Sequence, residues 1–159
     1  MVQIEPYQPE HRRDIERFVA AIQETERALV PQLRPAADIA AQYAEWLLRM
    51  TAQHDGTVVM ACDGNDPIGF ACAWVDEDDD MLLDARFRRH ARVSDVFVAE
   101  PWRRRGIGRL LLGAIEDDMR RRGCRQMRIM AKAGNLAALK CYEATGFCPY
   151  EVALWKAIE

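Results

Sequence analysis

Apolar residues in the first half of the chain follow two patterns, one typical of helices and one typical of strands. Repeats every three to four positions predict amphipathic helices over Pro9–Gln23 and about 37–50. Apolar runs at Thr57–Asp63 and Ile68–Val75 flank a turn rich in Gly, Asn, Asp and Pro, so they predict a β-hairpin. Val2–Pro6 is predicted to be a short first strand.

The second half alternates between strand and helix patterns. The predicted elements are a strand at Arg92–Val98, a helix at Gly108–Arg122, a strand at Arg125–Ala131, a helix from Asn135 to about Thr145 and a strand at Tyr150–Ala157. The acidic run Asp76–Asp80 is predicted to be a solvated loop, whereas Met81–Ala91 fits either a short helix or an irregular insertion. The predicted order is therefore β-α-α-β-β-β-α-β-α-β.

Length and charge narrow the class of protein. A chain of 159 residues, half of them hydrophobic, predicts a single domain over residues 1–159 with a sizeable core. The net charge of −3 disfavours a nucleic-acid-binding module. We expect a cytoplasmic protein that does not bind membranes, because no apolar run could span a bilayer and the N-terminus lacks a signal-peptide pattern.

Cysteine and histidine spacing offers no metal site or disulfide framework. The five cysteines are odd in number and include no C-x-x-C pair. The three histidines, His11, His54 and His90, are widely separated. We therefore expect no bound metal.

The turn before the third predicted helix has the features of an anion site. Two glycines, Gly106 and Gly108, stand at the start of the helix, where backbone N–H groups lack internal acceptors and the helix dipole is positive. Glycine lets a phosphate approach the backbone, and the flanking arginines add positive charge. A dinucleotide-binding turn would need glycine where Leu111 stands, and the Gly-Lys-Ser/Thr of a P-loop is absent. These residues therefore predict a pyrophosphate site of another kind.

Two motifs resemble the GNAT superfamily of N-acetyltransferases. Residues 103–108, Arg-Arg-Arg-Gly-Ile-Gly, match its R/Q-x-x-G-x-G/A turn, although Arg104 stands where relatives often carry glycine. Residues 135–147 match its N-x-x-A-x-x-x-Y-x-x-x-G-F pattern at every specified position. The resemblance extends from about Ile68 to the C-terminus. It implies an α/β (α+β) fold with a mixed, mostly antiparallel sheet of about six to seven strands flanked by helices.

The same resemblance implies acetyl-CoA as co-substrate, held between two splayed strands. The pantetheine arm would pair with the first of these strands, the turn amides would hold the pyrophosphate, and Tyr142 would lie near the sulfur. The candidate cofactor-binding residues are Val96, Phe97, Val98, Arg103, Arg104, Arg105, Gly106, Ile107, Gly108, Arg109, Asn135, Ala138 and Tyr142.

The spacing of Asn135 and Tyr142, two helical turns, places both on one helix face. A tyrosine there can protonate a departing thiolate as a general acid. Asp95 is the first candidate to bind the amine or accept its proton through water, and an N–H of Val96 or its neighbour can polarise the carbonyl. The other candidates on the amine side are Glu24, Glu26 and His90.

The favoured function is acetyl transfer to a primary amine of a small molecule or peptide. One alternative is a non-catalytic CoA-binding sensor or scaffold with the same fold. A second is a nucleic-acid module, which the overall acidity disfavours. Homodimers are frequent in the family, so a homodimer is a further expectation.

Overall fold

The computed structural model describes residues 1–158 and is built on a mixed five-stranded sheet. The strands are β1 (Val2–Pro6), β2 (Thr57–Asp63), β3 (Asp66–Glu77), β4 (Arg89–Val98) and β5 (Met127–Ile129), hydrogen-bonded in that order. The helices are α1 (Arg12–Leu29), α2 (Ala36–Gln53), α3 (Ile107–Arg121) and α4 (Leu136–Ala144). Short 3-10 turns lie at Pro9–His11, Ala85–Phe87 and Glu100–Trp102.

The two faces of the sheet carry separate cores. On one face, residues such as Ala71 and Val93 pack with Leu111 and Ile115 of α3. On the other face, residues of β2 and β3 pack with α1 and α2, where the ring of Phe18 stacks on those of Phe70 and Phe97. Because side chains alternate along a strand, consecutive residues of β4 face different helices. No helix among residues 1–158 is long and apolar enough to cross a membrane.

The last two strands of the sheet are parallel and soon diverge. β4 pairs with β3 along most of its length but with β5 only over three residues, from Ala91 to Val93. Beyond Val93 the second edge of β4 has no strand partner within residues 1–158. The predicted splayed pair is therefore present.

The fold prediction is confirmed in class, but the strand count is five rather than six to seven. The predicted strand at Tyr150–Ala157 forms no strand, and its side chains are exposed. The edge strand β5 covers only Met127–Ile129 of the predicted Arg125–Ala131. A strand of three residues is too short to pair with the eight-residue strand predicted at Tyr150–Ala157. The alternation of apolar residues in Tyr150–Ala157 is typical of a strand, but no strand of matching length lies beside it.

The acidic run also differs from its prediction. Asp76 and Glu77 extend β3 and pair with His90 and Arg89 of β4, so only residues 78–80 lie in a loop. In segment 81–91, a 3-10 turn at Ala85–Phe87 precedes the first residues of β4.

Candidate functional site

A β-bulge in β4 places two neighbouring polar residues on the same side of the sheet. Asp95 pairs with Cys72 of β3, and Val93 pairs with Ala73, so Ser94 is the extra residue. Ser94 Oγ donates to Asp95 Oδ2 at 2.7 Å, a contact that strict alternation along a strand would not allow. The bulge therefore directs both side chains towards α2.

The Asp95 carboxylate uses its two oxygens differently. Oδ2 accepts from Ser94 and also from the hydroxyl of Tyr43 on α2, at 3.0 Å, while the Cys72 thiol lies 4.0 Å away. Oδ1 accepts no hydrogen bond from residues 1–158. Unlike Oδ2, it is therefore unpaired, and it is not completely buried. Asp95 thus has one oxygen fixed by the protein and one free to bind an incoming group.

Burial sets the protonation behaviour of this cluster. The side chain is 8% exposed, and this desolvation raises the pKa of Asp95 above its ordinary value. The hydrogen bonds from Ser94 and Tyr43 oppose that rise, and the negative charge of Glu26 adds to it. Burial and the Asp95 charge also raise the pKa of the Tyr43 hydroxyl, so Tyr43 remains a donor.

Tyr142 lies on α4, half-buried, with its ring centroid 5.9 Å from that of Phe147. Burial is the main cause that raises the pKa of its hydroxyl, followed by the charges of Cys141, Asp95 and Glu26. Tyr142 is therefore close enough to Asp95 and Glu26 to feel their charges. Its phenol remains protonated at neutral pH.

The turn that leads into α3 adopts two left-handed backbone conformations. Arg104 has φ 59° and Gly106, the residue before the helix, has φ 80°. A Cβ built on Gly106 would meet no atom within 4 Å, so the backbone there is open to a ligand. Among residues 1–158, the six N–H groups from Arg104 to Arg109 have no hydrogen-bond acceptor. Such a row of free donors at a helix N-terminus suits a diphosphate.

The side chains of residues 103–109 differ in burial and in the contacts that they make. Ile107 is buried in the α3 core, so it can offer a ligand only its backbone. Arg103 Nε donates to the carbonyl of Val98 at 3.0 Å, which ties the turn to the end of β4. A Cβ on Gly108 would lie 3.1 Å from Cys141 Sγ, so this glycine lets α3 approach α4 closely. The side chains of Arg104, Arg105 and Arg109 are exposed.

The register of β4 shows which backbone groups face the splay. The N–H of Ala99 bonds to the carbonyl of Ile68 on β3 at 2.8 Å. Because antiparallel pairing alternates, Phe97 also bonds towards β3, whereas the N–H groups of Val96 and Val98 point to the β5 side. The Phe97 side chain instead packs on α1, through its stack with Phe18. Val96 therefore presents a free donor where the strands diverge, as its proposed role requires.

Asn135 is the N-cap of α4. Its Oδ1 accepts from the N–H of Ala138 at 3.2 Å, as the sequence pattern predicted. Its side-chain amide donates to no group among residues 1–158 and is available to a ligand.

Two of the predicted amine-side residues lie elsewhere. Glu24 Oε1 accepts from the N–H of Ala36 at 2.7 Å, so it satisfies the start of α2 instead. His90 is buried, and its Nδ1 lies 2.9 Å from the carbonyl of Arg88. Asp95 lies five positions further along β4, about 16 Å along a strand. Of the glutamates considered on α1, Glu26 is the one whose charge acts on the site.

Tyr43 is the residue of the candidate site that the sequence did not indicate. Its position on the apolar face of α2 indicated a core aromatic, and only tertiary packing brings its hydroxyl to Asp95. Tyr43 also lines an open groove of about 550 Å³ along α2 together with Ile39, Gln42, Glu45, Trp46 and Arg49. The centroid of the Trp46 ring lies 5.3 Å from that of Tyr43 and 5.8 Å from that of Trp74. Three aromatic rings in contact, those of Tyr43, Trp46 and Trp74, therefore extend along α2 from the Asp95 carboxylate.

Glu5, His11 and Cys62 form a separate cluster whose donor atoms lie within 4.8 Å of one another. The Cys62 thiol donates to Glu5 Oε1 at 3.2 Å, and the N–H of Gln8 donates to His11 Nδ1 at 3.1 Å. Burial and Glu5 raise the pKa of Cys62 to about 12. A metal would have to displace that proton, so the hydrogen bond to Glu5 already accounts for the position of the Cys62 thiol.

The fold and the open helix N-terminus define an acyltransferase-like architecture, and comparison with known sequences identifies its family. The profile of the acetyltransferase (GNAT) family matches residues 16–147, so the chain belongs to that family. An uncharacterized N-acetyltransferase of Methanocaldococcus jannaschii is 28% identical over 113 residues, which are 69% of this chain. The match spans 46% of the relative, about half its length.

Solved structures share the fold along the whole chain. A GCN5-related N-acetyltransferase from Ralstonia eutropha superposes with a TM-score of 0.77 at 19% identity, covering 99% of both chains. The aminoglycoside N-acetyltransferase AAC(6')-Iy, solved in complex with CoA, gives a TM-score of 0.72 at 22% identity, covering 99% of this chain and 95% of that one. At these identities the likeness concerns the fold.

Proposed function

We propose that the protein is an acetyl-CoA-dependent N-acetyltransferase that transfers the acetyl group directly to a primary amine. The observation that carries this proposal is the row of six free N–H groups from Arg104 to Arg109, with open space over Gly106. These donors match the oxygens of a diphosphate, and the exposed arginines of the turn match its charge. The solved complex of AAC(6')-Iy with CoA, which has the same fold, supports the choice of ligand.

The gap between β4 and β5, which opens beyond Val93, can hold the pantetheine arm of acetyl-CoA. From the N-terminus of α3, an extended chain can run along the free edge of β4 and pair with the outward N–H groups of Val98 and Val96. The Val96 N–H can then polarise the thioester carbonyl, as an oxyanion-hole donor does. The free amide of Asn135 lies on the same helix face as Tyr142 and can bond to the pantetheine arm.

Acetyl transfer requires an ammonium nitrogen to lose two protons and the CoA thiolate to gain one, and the site has a candidate acceptor and a candidate donor. An alkylamine has a pKa of about 10.4, so it arrives as an ammonium that Asp95 Oδ1 can bind. The proton passes to Asp95 or through it to water, and the neutral nitrogen attacks the carbonyl carbon. As the carbon–sulfur bond breaks, Tyr142 donates its hydroxyl proton to the thiolate, and the second proton that leaves the nitrogen restores the tyrosine through solvent. Its raised pKa keeps that proton available at neutral pH.

A thiol-release assay with acetyl-CoA and a panel of primary amines tests the function. We expect amine-dependent release of CoA and a product whose mass is larger by one acetyl group. Tight binding of acetyl-CoA without turnover on any amine would instead indicate a CoA sensor. Failure to bind acetyl-CoA would refute both readings of the site.

A further inference from the structure

The groove along α2 lies on the flank of the helix that carries the contact with Asp95. Ala44 and Leu47 are fully buried in the core that α2 shares with α1. Tyr43 and Trp46 stand beside that core and are half-buried, and both line the groove. Because the Tyr43 hydroxyl donates to Asp95, the groove and the candidate amine-binding carboxylate meet at this tyrosine.

The α2-facing side of β4 forms an open floor next to this flank. Ser94 Oγ lies 3.5 Å from the Tyr43 hydroxyl oxygen, and the guanidinium carbon of Arg92 lies 5.9 Å from the centroid of the Trp74 ring. Ser94 is only half-buried, and 44% of the Arg92 side chain is exposed. Solvent therefore reaches β4 beside α2, and a small molecule can lie against the strand there with the aromatic rings at its side.

Two chemically different surfaces meet at Tyr43. At its hydroxyl end lies the Asp95 carboxylate, whose Oδ1 accepts no hydrogen bond from residues 1–158. The Tyr43 ring begins an apolar row that continues with Trp46, and Ile39 adds an aliphatic side chain one turn earlier on the same helix face. A ligand that contacts both surfaces has a cationic end and an apolar end. Since one phenol ring separates the surfaces, a short chain must join these ends.

The charges around the groove occur in pairs of opposite sign. Glu45 and Arg49 line it four positions apart on α2. Arg92, at its floor, lies 3.5 Å from Asp76 Oδ2. A second ammonium or a carboxylate on the ligand would meet one attractive and one repulsive partner at each pair. Away from Asp95, the groove therefore suits a neutral group.

We infer that the acceptor is an arylalkylamine, a primary amine that a short alkyl chain joins to an aromatic ring. The ammonium binds Asp95 Oδ1, and the ring packs against Tyr43 and Trp46 in an offset or edge-to-face arrangement. This inference rests on the proposed acetyl transfer and names the substrate class of that site. Trp46 and Ile39 are substrate-binding residues in this scheme, and neither takes part in proton transfer.

Amines that differ in the ring test the inference. In the thiol-release assay, kcat/KM for 2-phenylethylamine is compared with the values for 2-cyclohexylethylamine, whose ring is not planar, and for n-butylamine, which has no ring. We expect 2-phenylethylamine to exceed n-butylamine by about 10- to 100-fold, because the ring adds apolar contact area and aromatic pairing. 2-Cyclohexylethylamine should lie between them. Along the series from benzylamine to 4-phenylbutylamine, kcat/KM should pass through a maximum, because ring and ammonium each have a fixed partner.

Variants of the groove separate recognition from folding. Trp46→Leu should lower kcat/KM for 2-phenylethylamine about tenfold and leave n-butylamine and KM for acetyl-CoA unchanged, whereas Trp46→Phe retains a ring and should keep most of the preference. Ile39→Gln places a polar group in the groove and should weaken the preference even if Trp46→Leu folds poorly. Trp155→Leu, the same substitution at a residue that is 75% exposed in the tail, is the control and should behave like the wild type.

Two results would overturn the inference. One is equal kcat/KM for the three amines, and the other is an undiminished ring preference in both Trp46→Leu and Ile39→Gln. In either case acetylation itself is observed, so the proposed function stands while the substrate class falls. Absence of acetylation of any amine would refute the proposed function itself.

Discussion

The hydroxyl of Tyr43 donates to Asp95 Oδ2 at 3.0 Å, joining α2 to β4 between residues 52 positions apart in sequence. This bond fixes one carboxylate oxygen, while the other, Oδ1, accepts no hydrogen bond from residues 1–158. It also opposes the rise in the pKa of Asp95 that burial causes. In the proposed mechanism, Tyr43 is thus a positioning residue that acts through Asp95.

Tyr43→Phe should move the acidic limb of the pH profile. The variant loses a donor to the carboxylate, so the pKa of Asp95 rises further and ionisation needs a higher pH. We expect kcat/KM for the amine to fall about tenfold on the acidic side and to recover as pH rises. Tyr7→Phe, which changes a hydroxyl without an assigned partner, is the control. A uniform loss at all pH values would mean that Tyr43 matters only for packing.

Asp95→Asn should stabilise the fold while it impairs catalysis. Because burial raises the pKa of Asp95, the folded state binds this proton more tightly than the unfolded chain does. Stability then falls as pH rises from the ordinary aspartate pKa, about 3.9, through the folded value, and the cost of the buried charge persists above it. The asparagine carbonyl can still accept from Ser94 and Tyr43.

Thermal melts between pH 3.5 and 8 measure this effect. The melting temperature of Asp95→Asn should exceed that of the wild type at pH 8, and the difference should shrink on acidification. Asp79→Asn in the exposed acidic loop is the matched control. A lower melting temperature for Asp95→Asn at pH 8 would show instead that the ionised carboxylate stabilises the fold.

The open backbone at the start of α3 follows from the sequence because it depends on local structure, while its role as a phosphate site stays a prediction. Free amides at a helix N-terminus follow from the helix itself, and Gly106 and Gly108 mark the place in the sequence. The amine side depends on tertiary structure. The bulge at Ser94 reverses the expected alternation of β4, and α2 packing delivers Tyr43. The sequence alone did not distinguish Glu24 from Glu26 as candidates on the amine side. In the folded chain, Glu24 accepts a hydrogen bond from the first turn of α2.

Gly106→Ala should weaken acetyl-CoA binding and destabilise the protein. The left-handed conformation at φ 80° costs a residue with a Cβ about 1–2 kcal/mol, and the new methyl group occupies the space above the free amides. We expect a raised KM for acetyl-CoA and a lower melting temperature. Gly113→Ala, in the middle of α3 and without neighbours within 4 Å, should instead stabilise by up to about 1 kcal/mol and leave KM unchanged.

The outcome for Gly108→Ala separates two roles of the second glycine. Its Cβ would approach Cys141 Sγ at 3.1 Å, so the Cys141 side chain would have to shift slightly. Combining it with Cys141→Ala removes that obstacle. If KM for acetyl-CoA is restored in the double variant, Gly108 serves helix packing. If KM stays high, the glycine is needed for approach of the diphosphate to the backbone.

Tyr142→Phe should lower kcat by about 10² to 10⁴-fold and leave KM for acetyl-CoA nearly unchanged. The ring can keep its contact with Phe147, so only the proton donor is lost. Because the pKa of the Tyr142 hydroxyl is raised above its ordinary value of about 10, the wild type should keep its donor protonated through pH 9. Rates measured with thioesters of more acidic thiols should recover part of the loss, since such leaving groups need less protonation. An equal loss with every thiol, together with a raised KM, would indicate a structural role for Tyr142 in α4.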